Sequence, residues 1–311
     1  MGEPFRHLAI PGSTSNLGPG FDALSVAVSL YLRARVLDIR ADREGRLRLV
    51  FGGPAPEGEN RIEQAYELAC RRYGRPAVSI EAGVSSEIPM GAGLGSSAAA
   101  TIAGIMLYQA ARGAPVEGDV LALATELEEH PDNAAASLLG GLTISCQLDD
   151  GRVLARSWAW PADIRLVVGT PDVQLLTRHA RGALPDAVPL RDAVWNLQRA
   201  LLLVRALETG QYGDLREALA DRWHQPARAA LVPGLQEALA IDEPSVLGVC
   251  LSGAGPSILA LAAPGRSEDA ARVLGDVYRR IGVPHTIRNL AAHPPATTRQ
   301  PSTAAERERT A

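Results

Sequence analysis

Three glycines at alternate positions and two adjacent serines stand directly before an apolar run in the segment PMGAGLGSSAA, residues 89–99. A glycine-rich turn that leads into a helix exposes several backbone N–H groups and the positive end of the helix dipole. The glycines can take positive φ and let a bulky anion approach, while the serines can cap the helix or reach a metal ion. The segment predicts a phosphate site, and a serine-capped helix after a flexible loop is the simpler alternative.

The pattern excludes several familiar phosphate-binding sites. Its glycines alternate, whereas the dinucleotide fingerprint G-x-G-x-x-G has another spacing and an acidic residue about 20 positions later. All 31 basic residues are arginine, so the chain lacks the lysine that a Walker-type loop, a protein kinase or Schiff-base chemistry requires. Dinucleotide binding is therefore disfavoured, and the loop must bind an anion through its backbone.

Two further glycine-rich segments could share a site with the first. Residues 11–22, PGSTSNLGPGFD, form one polar loop, and residues 252–257, SGAGPS, form another between two apolar strand patterns. The run HPDN, residues 130–133, lies between them in the chain, and its proline ends the preceding helix pattern. His130 and His224 are tempting as proton acceptors, but we interpret both as structural residues.

The elements that position these segments can be read from hydrophobic periodicity and turn residues. The predicted strands cover residues 5–11, 24–39, 46–51, 77–84, 142–148, 152–158, 164–169, 246–251 and 257–262. The predicted helices cover residues 61–73, 98–112, 117–129, 132–139, 190–208, 214–223 and 267–280. Asn60 is suited to cap the first helix and Gly74 to end it.

The composition indicates a globular protein of two domains. The 311 residues, 46% of them hydrophobic, can fill two cores, and a net charge of −4 with scattered arginines gives no basic surface for nucleic acid. No window approaches the ~20 apolar residues that span a bilayer, and no signal pattern stands at the start, so we expect a cytoplasmic protein without a membrane partner. Cys70, Cys146 and Cys250 are predicted to be buried, reduced thiols.

Four segments, in this order, resemble the motifs of the GHMP family of small-molecule kinases: PGSTSNLGPGFDAL, PMGAGLGSSAA, EEHPDNAAASLLGGLT and CLSGAGPSIL. The resemblance covers about residues 5–290 and is strongest to the members that phosphorylate L-homoserine. It implies an α+β GHMP kinase fold. An N-terminal ribosomal-protein-S5-like domain, residues 1–162, would bind ATP, and a C-terminal ferredoxin-like domain, residues 163–290, would precede a disordered tail, residues 291–311.

The resemblance also assigns the site residues. The positions that would bind ATP are Pro89, Met90, Gly91, Ala92, Gly93, Leu94, Gly95, Ser96, Ser97, Ala98, Ala99, Gly253 and Gly255. Mg²⁺ would be held by Ser97, or else Ser96, and by Glu128. This chain has Glu129 where the family usually has glycine.

The substrate positions follow from the same comparison of motifs. Asp22 matches the residue that pairs with the ammonium of the substrate, and Asn16 matches one close to the reacting hydroxyl. Arg181 and Arg228 match a clamp for the carboxylate, which suits the planar, bidentate guanidinium. Thr177 lies near the substrate in this scheme. Asn133 would support the reaction from behind these groups, together with Asp132.

The activity implied is transfer of a phosphoryl group from ATP to the hydroxyl of L-homoserine, giving O-phospho-L-homoserine for threonine biosynthesis. No motif-matched aspartate and no lysine is present as a base, so we expect the hydroxyl to lose its proton late, to the transferring phosphate or through water. Two alternatives stay open: a GHMP kinase acting on another small alcohol such as mevalonate or a sugar, and a non-catalytic nucleotide-binding regulator. A homodimer is also left open.

Overall fold

The computed structural model describes residues 6–53, 60–116, 120–175 and 177–296, with the backbone alone for Thr177. Its strands are β1 (His7–Ser15), β2 (Leu24–Arg40), β3 (Leu47–Phe51), β4 (Ser79–Ser86), β5 (Leu142–Gln147), β6 (Val153–Trp158), β7 (Arg165–Pro171), β8 (Val246–Leu251), β9 (Ile258–Ala262) and β10 (His285–Leu290). Its helices are α1 (Arg61–Tyr73), α2 (Ser96–Arg112), α3 (Val120–Glu128), α4 (Asp132–Leu139), α5 (Thr177–Gly182), α6 (Leu190–Thr209), α7 (Leu215–Ala218), α8 (His224–Arg228), α9 (Leu235–Leu239) and α10 (Ser267–Arg280). The fold is α+β, as predicted.

The first sheet is organised around the long strand β2. It pairs with β1 along one edge and, along the other, with β5 near its start and β4 near its end. Strand β3 pairs in parallel with β4, and β6 pairs with β5. Helix α2 is apolar on most of its surface and packs between α1, α3 and α4, so the site segments at its N-terminus start from a rigid support.

The second sheet has the order β10-β7-β9-β8, and each neighbouring pair is antiparallel. Helix α10 buries Ala270, Leu274, Val277 and Tyr278 against it. The turn between β8 and β9 carries the third glycine-rich segment. Among the described residues, no helix combines the length and apolar character needed to cross a membrane.

The C-terminal segment, residues 291–296, returns to the first sheet after β10. Ala291 O accepts from Ser29 N at 2.9 Å, and His293 N donates to Ala27 O at 2.8 Å. Ala292 forms an isolated bridge with Val28 between the parts of β2 that pair with β5 and β4. The prediction of disorder from residue 291 is therefore wrong for these residues, because backbone pairing orders them; residues 297–311 lie outside the described part.

Several helix bounds agree with the sequence prediction. Helices α1 and α10 have the predicted bounds, Asn60 Oδ1 accepts from Ile62 N at 2.9 Å, and Gly74 N closes α1 on Cys70 O. The start of the helix predicted at residues 117–129 lies partly outside the described residues, and the described helix α3 ends at Glu128.

Other predictions were wrong. The predicted helix 214–223 is helical only over Leu215–Ala218, because Asp221 turns its carboxylate onto the N–H groups of Trp223 and Gln225. Residues 11–22 are not all loop, since β1 runs on to Ser15 after a bulge at Gly12. All three cysteines are free, but Cys146 is exposed instead of buried.

Candidate active site

A cavity of about 290 Å³ lies where several segments meet. They are the glycine loop, defined as residues 89–95, the first loop, defined as residues 11–22, the turn between α3 and α4, helix α5 and the β8–β9 turn. Most of the predicted site residues line this cavity. They are Asn16, Asp22, Pro89, Gly91, Ala92, Gly93, Leu94, Gly95, Ser96, Ser97, Ala98, Glu128, Asn133, Arg181, Arg228 and Gly253. Segments that are far apart in the chain are therefore brought to one place.

The glycine loop is fixed by its carbonyl groups. The oxygens of residues 91–94 accept hydrogen bonds from neighbouring strands and turns. The donors are Leu175 N at 3.4 Å, Ser257 N at 3.3 Å, Ser252 Oγ at 2.7 Å and Ser13 N at 3.0 Å. Among the described residues, no hydrogen bond uses the N–H groups of residues 91–98. The loop is thus a set of unused donors at the N-terminus of a 17-residue helix, which is a site for an anion.

Two of the glycines are required by close packing as well as by backbone conformation. Gly93 has φ 71°, and a Cβ atom there would lie 2.3 Å from Ser252 O. Gly95 has φ 70°, and its Cβ would lie 2.2 Å from Ser13 Oγ. Gly95 is also the N-cap of α2, where no side chain makes a capping hydrogen bond, so the simpler interpretation of a serine-capped helix is wrong.

Ser97 and Glu128 contact each other at one wall of the cavity. Glu128 Oε1 accepts from Ser97 Oγ at 2.8 Å and from the buried Thr101 Oγ1 at 2.7 Å, and its side chain is only 7% exposed. Arg61, the first residue of α1, places Nε 3.2 Å from Ser97 Oγ and 3.5 Å from Glu128 Oε1. Glu128 Oε2 accepts no hydrogen bond from the described residues. A hydroxyl and a carboxylate placed in this way match the oxygen ligands that Mg²⁺ prefers.

The residue after Glu128 departs from ordinary backbone geometry. Glu129 has φ 67°, in the left-handed region that glycine adopts without strain, and its N–H closes α3 on Thr125 O at 2.8 Å. Its side chain is exposed at the cavity rim. The glycine that the motif resemblance implies at this position would adopt this backbone conformation without strain.

An ion pair occupies the opposite side of the cavity. Arg181 Nη2 donates to both carboxylate oxygens of Asp22, at 2.8 and 3.0 Å, and both side chains are about one-third exposed. The guanidinium groups of Arg181 and Arg228 lie 5.7 and 5.5 Å from the ring centroid of Phe21. The ring of Phe21 therefore lies near two guanidinium cations, and one of them, that of Arg181, pairs with the carboxylate of Asp22.

Arg228 is almost completely buried and is held by neutral groups. Its Nε donates to Ala180 O at 3.1 Å, and Nη1 contacts His224 Nδ1 at 3.2 Å and Gly253 O at 3.3 Å. Burial and the nearby Arg181 lower the pKa of Arg228 to about 10, so the group is charged at neutral pH. Its Nη2 group has no partner among the described residues and is free to bind an anion.

Asn16 and Asn133 hold the first loop in place. Asn16 Nδ2 donates to Gly253 O at 2.9 Å and its Oδ1 accepts from Asp22 N at 3.0 Å, so the amide joins the first loop to the β8–β9 turn. Asn133 Oδ1 accepts from Ser13 Oγ at 2.8 Å, and its Nδ2 donates to Ser15 Oγ at 2.9 Å. Both amides face the cavity while fixing its walls.

His130 and Asp132 form a pair that also faces the cavity. The ring Nδ1 lies 2.7 Å from Asp132 Oδ1, and ligand atoms of Asp22, His130 and Asp132 lie within 4.8 Å of one another. Burial by itself lowers the pKa of His130, but the hydrogen bond and charge of Asp132 outweigh it and raise that pKa. Burial by itself raises the pKa of Asp132, but the hydrogen bond and charge of His130, together with the N–H of Asn133, outweigh it and lower that pKa.

The structure separates a few predicted residues from the cavity lining. Met90 is 63% exposed, Ala99 is fully buried behind the loop, and Gly255 lies beneath Gly93. The side chain of Thr177 lies outside the described residues. Sequence reasoning missed Arg61 and Arg178 and gave His130 only a structural role, yet all three line the cavity. The only sequence signal for Arg61 is its place directly after the α1 cap.

Comparison with known proteins identifies the family. Residues 60–141 match the model of the GHMP kinases N terminal domain and residues 203–280 that of the GHMP kinases C terminal domain. The chain is 36% identical over 290 residues to the homoserine kinase of Moorella thermoacetica, with 91% of this chain and 95% of that protein covered. It is 41% identical over 261 residues to that of Solibacter usitatus, with 81% and 84% covered.

The solved structures lead to the same family. The homoserine kinase from Cytophaga hutchinsonii superimposes with a TM-score of 0.80 at 25% identity, over 93% of this chain and 95% of that one. A mevalonate kinase crystal structure superimposes with a TM-score of 0.65 at 14% identity, over 93% and 99%, which is a likeness of fold alone. The kinase fold, the sequence relatives and the shared motifs agree, and this chain is a member of the GHMP kinase family, in its group of homoserine kinases.

Proposed function

We propose that this kinase transfers the terminal phosphoryl group of ATP to the hydroxyl of L-homoserine and forms O-phospho-L-homoserine, a step of threonine biosynthesis. The observation that carries the proposal is one cavity with two complementary walls. One wall presents the unused N–H groups of the glycine loop, and the other presents the Asp22–Arg181 ion pair. A polyphosphate and a zwitterion can therefore lie side by side.

The glycine-loop wall fits ATP and Mg²⁺. Backbone N–H groups at a helix N-terminus bind phosphate oxygens. The carbonyl groups of the same loop already accept hydrogen bonds from the rest of the protein, so the loop needs little reorganisation when phosphate binds. Ser97 and Glu128 would hold the metal, whose charge stabilises the negative charge on the transferring group when it is bound. Gly253 would add to the nucleotide side of the site.

The opposite wall fits a free amino acid. The ammonium of L-homoserine matches Asp22 and its carboxylate matches Arg181, so the zwitterion can replace each partner of the existing ion pair. Arg228 offers a second guanidinium from a fully buried position. Thr177 completes this wall in the proposal.

The chain's own residues act in the reaction mainly by position. Asn16 and Asn133 fix the walls between which the hydroxyl and the phosphate meet, which is the role that phosphoryl transfer asks of a protein. His130 contacts Asp132 through Nδ1, which fixes the orientation of the ring at the cavity wall. The proton of the hydroxyl leaves late, to the transferring phosphate or through water.

The proposal extends to organisation and location. The ATP-binding domain is residues 1–162 and the second domain residues 163–290, with the cavity formed by both. We place the enzyme in the cytoplasm, because it depends on ATP. We also propose a homodimer that forms through α6, whose exposed face carries a stripe of apolar residues.

The test is steady-state phosphorylation of L-homoserine with Mg²⁺ and ATP, with the product identified by phosphorus NMR. Glu128→Gln should lower kcat by about 100-fold or more, because it removes the carboxylate from the metal site. Glu126→Gln is the matched control, since it alters an exposed carboxylate of the same helix that pairs with Arg72, and it should keep wild-type kcat.

Alcohols that each lack one charge of the substrate extend the test. The compound 4-hydroxybutanoate lacks the ammonium and 3-amino-1-propanol lacks the carboxylate, so both should have kcat/KM values far below that of L-homoserine. Faster turnover of mevalonate or a sugar would assign another substrate. Binding of ATP without turnover of any alcohol in the panel would contradict an enzymatic function.

A further inference from the structure

Arg61 is a guanidinium on the glycine-loop side of the cavity that no family motif marks. It is the first residue of α1 and reaches across the cavity wall to α2 and α3. Its Nε contacts Ser97 and Glu128, its Nη1 donates to Gln64 Oε1 at 3.1 Å, and its Nη2 has no partner among the described residues. The side chain is 37% exposed, so it has space to rotate.

The position of Arg61 competes with a metal ion. A serine hydroxyl has one proton and two lone pairs. The proton of Ser97 is donated to Glu128, and the N–H of Arg61 occupies one lone pair. A dication that binds Ser97 Oγ and Glu128 would therefore have the positive charge of Arg61 within 3.2–3.5 Å of its own ligand atoms. Movement of the guanidinium away from these atoms would remove this repulsion.

Phosphate oxygens bound at the glycine loop would be acceptors for a displaced guanidinium. The chain has no lysine, so a cationic contact to the phosphates must come from arginine. The other arginines of the lining, Arg178, Arg181 and Arg228, belong to α5 and α8, and Arg61 alone among the described lining residues joins a guanidinium to the Ser97–Glu128 pair. Guanidinium groups bind phosphate oxygens with charge-assisted, bidentate geometry.

We propose that Arg61 is a nucleotide-binding residue that leaves Ser97 and Glu128 when the metal–nucleotide complex binds and then holds its phosphate oxygens. In this structure Arg61 lies 3.5 Å from Glu128 and compensates its charge, as Arg181 compensates Asp22 on the opposite wall. Each pair thus keeps a carboxylate compensated until the ligands arrive. This inference rests on the proposed function for the identity of the nucleotide.

The proposal predicts opposite effects on two ligands when Arg61 is changed to alanine. Metal-free ATP should bind about tenfold or more weakly to Arg61→Ala, because a charge-assisted contact to phosphate is lost. Mn²⁺ alone should bind roughly three- to tenfold more tightly, because a competing positive charge has left Ser97 and Glu128. Titration calorimetry with ATP in EDTA and electron paramagnetic resonance of free Mn²⁺ measure the two affinities without any turnover.

Arg72→Ala is the matched control. Arg72 lies on the same helix and pairs with Glu126 of α3, but away from the cavity, so its loss should change neither affinity. Unchanged ATP affinity in Arg61→Ala, or a parallel loss of both affinities, overturns the proposal and makes Arg61 a support for Glu128. A wild-type protein that binds no ATP at all would overturn the proposed function together with this inference.

Discussion

His224 is a buried side chain whose protonation state follows from its hydrogen bonds. The ring is fully buried, with Nε2 2.8 Å from Gly18 O and Nδ1 3.2 Å from Arg228 Nη1. Arg228 can only donate, so Nδ1 is the acceptor and Nε2 carries the proton. The imidazole is therefore neutral. Burial lowers its pKa below 6.5, although Asp221, 3.8 Å from Nε2, acts in the opposite direction.

We predict that His224 makes the protein less stable in mild acid. The native state resists protonation more than the unfolded state, so the free energy of unfolding falls as pH drops below 6.5, by up to about 1.4 kcal/mol per pH unit until the lowered pKa is reached. The measurement is urea unfolding of wild type and His224→Gln from pH 7.5 to 5.5. The difference in stability between the two proteins should shrink with falling pH, and a constant difference would contradict the prediction.

At the residue scale the sequence predicted much of the site but not its internal pairing. The motifs marked Ser97, Glu128, Asp22 and Arg181 as groups that bind ligands, and the structure brings them to one cavity. The hydrogen bonds of Ser97 with Glu128 and of Arg181 with Asp22 could not be predicted, because the motifs give the ligand of each side chain and not its partner within the protein. Arg61 was missed for the same reason, since its contact with Ser97 arises only when α1 packs on α2.

Helix α6 carries an apolar stripe on its outer face. Leu190, Leu197 and Leu201 are 80, 59 and 65% exposed and share one side of the helix with Val194. Leu197 and Leu201 lie two residues on either side of position 199. An antiparallel pair of α6 helices centred there would therefore bring leucine against leucine, which favours a second copy as the partner.

We predict that this stripe holds a dimer together. Wild-type protein should sediment as a dimer at micromolar concentration, and Leu197→Glu should sediment as a monomer, because it places a charge at the centre of an apolar contact. Leu154→Glu is the control, since Leu154 is 49% exposed on β6, and it should stay dimeric. A monomeric wild type, or a dimer that survives Leu197→Glu, would rule out this interface.

The elements that the sequence predicted best are those with strong local signals. Helix α1 has a capping asparagine and a terminal glycine, and its bounds were predicted from them. Strand β10 was missed because most of its side chains are half-exposed and the apolar alternation is weak. Helix α7 ends early because Asp221 bonds to backbone groups that a longer helix would use, and this choice depends on Asn196, which donates to the same carboxylate.

At the scale of the whole molecule, the polypeptide chain connects the two sheets at two places. The chain passes from the first sheet to the second before β7, and the C-terminal segment brings it back to β2 after β10. Gly141 N donates to His293 O at 2.8 Å, and Tyr31 Oη contacts the ring of His293 at 3.1 Å. Because the cavity is lined from both sheets, this return connection helps to fix its shape.

We predict that the C-terminal segment contributes strongly to stability. A chain that ends at Leu290 should be about 2–5 kcal/mol less stable than one that ends at Ala296, because several backbone hydrogen bonds are lost at about 0.5–1.5 kcal/mol each. Thermal and urea unfolding of the two truncated chains measure the difference. Equal unfolding midpoints would show that the pairing with β2 adds nothing.

The attachment of the glycine loop by its carbonyl groups has an evolutionary consequence. Side chains along the loop, such as that of the exposed Met90, can change through descent without disturbing the donors that face the cavity. Gly93 and Gly95 cannot, since any Cβ atom would collide with Ser252 or Ser13. Selection on this loop therefore preserves the absence of two side chains, while an exposed position such as Met90 is free to vary.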